Sequence, residues 1–460
     1  MEVYHILKEL TMKIKIFFVT LIIIAATIMP GKAAAKDSEP VLPNLPEIRS
    51  SKIVLMDADS GEVLYANNPD AKSYPASTTK LLTALLAVEN SSLSDEVIFS
   101  KKAVDSLEPG DANVAISEGE ILTMEQALHC LILRSANEVA YGIAEHIGGD
   151  MTSFTTIMNN KLEAIGAKNS HFTNASGLHN SLHYTTPYDM ALIAKECFNN
   201  KTLMQIAGYS GLYTINPTNK SKFTRYYKPR FQMLEGGEFA YRYCVGGKTG
   251  YTDEGGNCVV SFAQKDDLRL ICVVFDSGAE SRYTDSIALF DYYFDNYKKL
   301  PLNGNYSGLS SDSIDILDLL DSIDSSTDVS ISFEKDAYLL VPKEADMSDL
   351  TCIVTYADNI AYNGREGGFA NLSFYYRNID VGNATLYASS HSDSKSLAAA
   401  NSVPTLNYKV DNEKRESTHY INVLYILYTL LSVGAVILII LWITHRTRKR
   451  TRRRSKRLRF

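Results

Sequence analysis

Twenty-four consecutive residues near the C-terminus, Ile421 to Thr444 (INVLYILYTLLSVGAVILIILWIT), carry no charge. A helix of that length crosses about 30 Å of hydrocarbon. The run is followed by HRTRKRTRRRSKRLRF, which holds ten Lys or Arg and no acid. A basic run by itself suits a nucleic-acid arm. Placed directly after an apolar span, it follows the positive-inside rule and meets anionic lipid head groups. At the other end Lys13 and Lys15 precede IFFVTLIIIAATIM, and small residues follow at Ala33 and Ala35. That order reads as a secretory signal peptide, with an uncleaved anchor as the alternative. No Cys stands at the cleavage site, which argues against a lipoprotein. The ends therefore predict a leader at 1–35, a transmembrane helix at 420–444 and a basic cytoplasmic tail at 445–460, and confine any folded unit to the exported stretch between them.

Charge agrees with that division. The whole chain carries −7. Setting aside the tail, with its ten cations, and the leader, with four Lys against two Glu, leaves about −19 on the exported part. Such a surface favours solubility and disfavours nucleic acid and anionic membrane. Six cysteines, at 130, 197, 244, 258, 272 and 352, permit disulfides in an exported chain. Most sit in apolar runs, so buried thiols are the other reading, and no CxxC metal pattern occurs.

Between the ends the pattern changes twice. IVLMDADSGEVLYANNPD, from Ile53, predicts a β-hairpin turning at Asp59-Ser60-Gly61. STTKLLTALLAVEN, MEQALHCLILRSANEVAYGIAEHIG and TTPYDMALIAKECFNN carry helical spacing, with Ser77 at a helix start and Pro187 in a first turn. NCVVSFAQKDDLRLICVVFDSG reads as two strands around a polar turn at Lys265–Asp267, and SRYTDSIALFDYYFDNYKKL as helix. Strands at both ends with helices between give an α/β (α+β) layer design over 40–300. Short alternating runs (ISF, AYLLV, LTCIVTY, NLSFYY, ATLYAS) predict a small all-β domain within 301–390, followed by a polar linker at 391–419.

CVGGKTGYTDEGG, from Cys244, holds two competing signals. As a P-loop, GxxxxGK[ST], it needs glycine at position 242, which is Arg242. As Lys248-Thr249-Gly250 it has companions upstream in the required order: Ser77-Thr78-Thr79-Lys80 and Ser135-Ala136-Asn137. These are the S-x-x-K, S-x-N and K-T-G signatures of serine acyl-transfer enzymes. Ser77 and Lys80, three apart at a helix start, share one face. A desolvated amine beside a hydroxyl has a lowered pKa and serves as a base. Ser135 and Asn137, between helical runs, can point into a cleft. Lys248 adds a fixed cation, Thr249 a hydroxyl, and Gly250 room for a substrate backbone.

PASTTKLLTALLAVE, LILRSANEVA, FTNASGLHNSLHYTTPYDMALIA and GGKTGYTDEGGNCVVSFA resemble the serine-type D-alanyl-D-alanine carboxypeptidases, the low-molecular-mass penicillin-binding proteins, over residues 48 to 300. The resemblance implies a penicillin-binding-protein/β-lactamase-like catalytic fold and, less directly, that family's C-terminal β-domain, for which NGREGGFANLSFYYRNIDVGNATLYAS is the best part. It implies that Ser77 attacks the carbonyl between the two terminal D-alanines of a peptidoglycan stem peptide, that Lys80 takes its proton, and that Ser135 with Lys248 hands a proton to the leaving D-alanine. Asn137 would hold the peptide, Lys248 and Thr249 would bind its terminal carboxylate with Gly250 beside them in the substrate-binding set, and the backbone amides of Ser77 and Tyr251 would form the oxyanion hole. His183 and Asp189 would support a loop facing the site. No cofactor or metal is implied, and β-lactams would acylate Ser77. Two departures stand out: Glu138 replaces the usual Asp after S-x-N, and the anchor is a full span rather than an amphipathic helix.

Other readings compete. His179 and His183 have zincin spacing, but Asn180 replaces the base of H-E-x-x-H. A class A β-lactamase needs a deacylating Glu, and Glu196-Cys197-Phe198-Asn199-Asn200 is the nearest approach to its E-x-x-L-N. A catalytically silent wall-binding scaffold, and peptidoglycan endopeptidase or transpeptidase activity at the same site, complete the set.

Overall fold

The computed structural model describes residues 44–302, 329–333, 336–356, 368–377 and 379–390. The leader, linker, apolar span and basic tail named above lie outside the described residues. Among the described residues no helix is long and apolar enough to cross a membrane.

The hairpin forms as its pattern requires. Strand β1 (Lys52–Asp57) turns through Asp59-Ser60-Gly61 into β2 (Val63–Asn67). Gly61 takes φ +83°, and the Asp57 carboxylate accepts the amides of Asp59 (2.8 Å) and Ser60 (3.3 Å), the local pairing that makes Asp a turn residue. Three strands from the far end of the region complete the sheet: β3 (Cys244–Thr252), β4 (Gly256–Lys265) and β5 (Leu268–Ser277). The order is β2-β1-β5-β4-β3, all neighbours antiparallel, so β3 is an edge.

Alternation along these strands feeds two cores. Val54, Met56, Val260, Phe262, Ile271 and Val273 face one side. Ile53, Leu55, Val259, Leu270, Cys272 and Val274 face the other. This is why LICVVF is apolar throughout and CVVSFA is apolar but for buried Ser261: both faces are buried. The first side is covered by α1 (Lys80–Asn90), α2 (Met124–His129), α3 (Asn137–Gly148), α4 (Met151–Ala164), α5 (Pro187–Asn199) and α6 (Lys201–Ala207). Helix α7 (Ser281–Asn296) covers the second with Leu289, Phe290, Tyr293 and Phe294. Pro187 stands at the start of α5, as the sequence predicts, and Thr186 caps the helix.

The helix expected through Leu300 stops at Asn296. Tyr297–Pro301 is instead a strand, β6, paired antiparallel with β8 (Tyr338–Pro342). Pairing with a distant segment overrides the local helical pattern here, and β6, ending at Pro301, crosses position 300. The short alternating runs fold as β7 (Val329–Phe333), β8, β9 (Leu350–Tyr356), β10 (Gly368–Tyr376) and β11 (Ile379–Ser390). All but β8 make an antiparallel sheet ordered β7-β11-β10-β9. Strand β8 serves two cores: Leu339 and Val341 join Leu350, Leu372 and Phe374, while Leu340 joins the core under α7. Tyr338 reaches the first hairpin, its hydroxyl 2.8 Å from both carboxylate oxygens of buried Asp57. All six cysteines are free thiols; Cys244 is half-buried and the rest are buried.

Candidate active site

Three distant segments meet at one cleft of about 670 Å³. The first is a 3-10 turn, Ala76–Thr79, leading into α1. Ser77 is half-buried there and does not cap the helix. Its Oγ lies 3.0 Å from Lys80 Nζ. Ala76, just before it, holds φ +48°, a left-handed conformation rare outside glycine. The second segment is the joint between α2 and α3. A π-turn at Cys130–Arg134 ends on Ser135, itself left-handed at φ 64°, and Asn137 opens α3. The third is β3, whose Thr249–Thr252 line the cleft along the sheet edge.

The two lysines are the electrostatic centre. Lys80 is wholly buried. Its amine donates to Asn137 Oδ1 (2.7 Å) and to the Ser176 carbonyl (2.6 Å). Burial drives its pKa well down, and the nearby positive charge of Lys248 adds to that. Lys248, 2% exposed, reaches Ser135 Oγ at 3.0 Å and the Thr249 carbonyl at 2.7 Å. Its pKa falls to about 7, through burial first and then the guanidinium groups of Arg230 and Arg282. A neutral amine has two N–H donors and one lone pair. In the neutral form, which burial favours, N–H groups donated to Asn137 and Ser176 would leave the lone pair facing the Ser77 hydroxyl.

The predicted site residues do not all serve one purpose. Ser77, Lys80, Ser135, Asn137, Lys248 and Thr249 converge. Gly250 is needed by the protein's own packing: a Cβ there would come within 3.0 Å of Ala76 Cβ, Pro75 O and Ser77 N. The missing side chain thus lets β3 lie against the Ser77 amide. Tyr251 is 61% exposed at the rim, its hydroxyl 3.0 Å from Asp253.

His183 and Asp189 hold the loop between α4 and α5. His183 Nδ1 accepts the Thr173 amide at 3.0 Å, so Nε2 carries the proton and donates to Thr79 Oγ1 at 2.9 Å. Burial lowers its pKa to about 3, which keeps the ring neutral. Asp189 accepts from the Asn169 amide and Ser170 hydroxyl, both at 2.7 Å. His179 points elsewhere, edge-on to Tyr74 at 4.7 Å and 3.7 Å from Glu254, and residues 179–183 are not helical. The zincin arrangement is therefore absent. Glu196 lies on α5, 3.6 Å from Lys161, and does not line the cleft. Glu138, the departure noted in the sequence, is buried, accepts the Val114 amide at 2.7 Å and so tethers the segment whose Gly110, Asp111 and Ala112 form one cleft wall. Among the described residues no group of three His, Cys, Asp or Glu side chains is placed to hold a metal ion.

Several contributors have no sequence signature. The Ser176 carbonyl is a backbone atom. Gly177 is one of many glycines until Ala76 is seen against it. Arg230 and Arg282 enter the cleft from a loop and from the start of α7.

Known proteins share sequence and fold with this chain. The pattern of the peptidase family described as D-alanyl-D-alanine carboxypeptidase matches residues 38–279. A D-alanyl-D-alanine carboxypeptidase of Bacillus subtilis is 28% identical over 347 residues, 74% of this chain and 84% of that protein. One from Escherichia coli K12 is 25% identical over 325 residues, 67% of this chain and 75% of that protein. The crystal structure of penicillin binding protein 5 from Haemophilus influenzae superposes with a TM-score of 0.61 at 23% identity, over 76% of this chain and 98% of that one, a likeness of fold.

Proposed function

The chain belongs to the D-alanyl-D-alanine carboxypeptidase family, and from that premise we propose that it removes the terminal D-alanine from peptidoglycan stem peptides through an acyl-enzyme on Ser77. The observation that carries this reading is the buried amine of Lys80, 3.0 Å from Ser77 Oγ and held in place by Asn137 Oδ1 and the Ser176 carbonyl.

Ser77 Oγ attacks the carbonyl carbon between the last two residues as Lys80 takes the hydroxyl proton. Charge developing on the carbonyl oxygen meets the backbone amides of Ser77 and Tyr251, donors typically worth about 3–4 kcal/mol each. The C–N bond then breaks. Ser135, backed by Lys248, supplies the proton that makes the leaving group free D-alanine and is resupplied with the one Lys80 took, so that Lys80 is neutral again. Water attacks the ester, Lys80 takes its proton, and Ser77 recovers its own as the shortened peptide leaves. The substrate lies extended along edge strand β3, with Asn137 on its backbone and Lys248 and Thr249 at its terminal carboxylate. The requirement for a free C-terminus follows. A β-lactam presents a strained amide to the same serine and acylates it.

The leader, the span at 420–444 and the basic tail support export, with attachment by a C-terminal transmembrane helix whose tail meets anionic lipid on the cytoplasmic side. Strands β7 and β9–β11 support a small C-terminal β-domain that holds the catalytic part off the membrane.

The test is D-alanine release from a soluble peptide ending in D-alanyl-D-alanine, with Ser77→Ala as control. Release that vanishes in the variant, and a penicillin adduct mapped to Ser77, are expected. No release from folded protein would reject the reading.

A further inference from the structure

The stretch Lys220–Arg230, KSKFTRYYKPR, holds five cations and no acid in an exported region that is otherwise strongly acidic. It leads into the cleft, because its last residue, Arg230, lines it. Its strand Arg225–Tyr227 pairs with Tyr213–Ile215. Arg225 turns inward to the buried carboxylate of Glu120, and the Tyr227 hydroxyl donates to the Val114 carbonyl. Alternation then sends Tyr226 and Lys228 outward. Phe223 is 79% exposed and Tyr226 61%, with Lys220, Lys222 and Lys228 exposed beside them. Among the described residues no carboxylate pairs with these three lysines. The ribbon is also fixed to the machinery: the Arg230 amide donates to the Leu133 carbonyl at 3.0 Å, inside the π-turn that ends on Ser135.

We propose that this ridge of Lys220, Lys222, Phe223, Tyr226 and Lys228 is a second, non-catalytic binding surface that takes the glycan strand of the cell-wall polymer beside the stem peptide being cut. The inference rests on the function proposed above. Aromatic faces suit sugar rings, and a polymer whose uncut stem peptides each end in a carboxylate is a polyanion complementary to the lysines. Single exposed pairs are weak. Several on one tethered polymer act together, because each later contact is intramolecular. Nothing in the ridge touches the reacting atoms, so it governs how the polymer is held and leaves the bond-breaking step unchanged.

The test uses the full chain in neutral detergent, as wild type, Lys220→Gln/Lys222→Gln/Lys228→Gln and Phe223→Ala/Tyr226→Ala. D-alanine release is measured from isolated insoluble wall and from a short soluble peptide, at low and high salt. Both variants should act on the soluble peptide as wild type does, which also shows that they fold. On wall they should fall by about ten-fold at low salt, the sum of a few exposed pairs, and high salt should narrow the gap for the lysine variant. Wild-type rates on wall in both variants, or equal losses on both substrates, would overturn the ridge. So would a loss of binding to micelles doped with anionic phospholipid with wall activity intact, since the ridge would then be a membrane contact. Failure of the wild type on the soluble peptide is a different result and would overturn the underlying function.

Discussion

The carbonyl oxygen of Ala76 fills the space that a side chain on Gly177 would need: a Cβ there would stand 1.8 Å from it. Gly177 holds φ +82° and Ala76 φ +48°, so two left-handed residues from different segments lock the Ser77 turn onto the loop that supplies the Ser176 carbonyl. Gly177→Ala should lower stability by roughly 2–5 kcal/mol, combining backbone strain with a clash against an atom that has little freedom to move. Penicillin acylation should drop by about 100-fold, because displacement by about 1 Å is enough. Gly166→Ala is the control: it has similar φ (+81°) with nothing within 4 Å. Equal effects in the two variants would show that strain alone, and not the contact with Ala76, is responsible.

Lys248 should make stability depend on pH. Its folded pKa, about 7, lies below the unfolded value. Between pH 7 and the ordinary lysine range the unfolded chain binds more protons, so stability rises with pH across that window. Below pH 7 both states are protonated and the burial penalty is fully present. Urea midpoints of wild type and Lys248→Met, compared from pH 6 to 10, should diverge in favour of wild type by roughly 1 kcal/mol per unit above pH 7. A constant difference would mean the folded amine keeps an ordinary pKa.

His183 works in the acid range. Its folded pKa, about 3, lies below the unfolded value near 6.5. Unfolded chain alone takes up a proton as pH falls from about 6.5 to 3, and stability is lost over that interval. His183→Asn should flatten this loss. It should also slow acylation, since the Thr79 hydroxyl loses the ring N–H beside Ser77 and Lys80. Acylation unchanged in the variant would reduce the ring to packing.

Tyr338→Phe separates stability from chemistry. The Asp57 carboxyl would lose the hydroxyl that reaches both of its oxygens. Thermal melting should show a loss of about 1–3 kcal/mol. The acylation rate of folded protein should stay at the wild-type value, and a matching fall would place this contact in the active-site framework.

Sequence and structure agree where the signal is local or chemical. The hairpin at Asp59–Gly61, the strand pair around Lys265–Asp267 and the three motifs were legible because turn residues, alternation and nucleophile spacing leave marks in one dimension. Tyr297–Pro301 was not, since its partner lies some forty residues on and helical periodicity runs up to it. Gly250 was read as space for substrate, and it does line the cleft; that its missing Cβ also lets Pro75–Ser77 lie close was not legible. Arg230 and Arg282 matter by where they end up, and an isolated arginine says nothing of that.

The causes that depress Lys248 include no acidic neighbour. An arriving carboxylate would therefore act as the counter-ion this amine lacks, and would draw its affinity for protons back up. At pH 7 association then takes up to about half a proton from solution, since the free amine is about half charged there. In a calorimeter, heats measured in phosphate and in Tris would differ by that fraction of the two buffers' ionisation enthalpies. The site would signal its occupancy through a change in titratable acidity before any bond is cut.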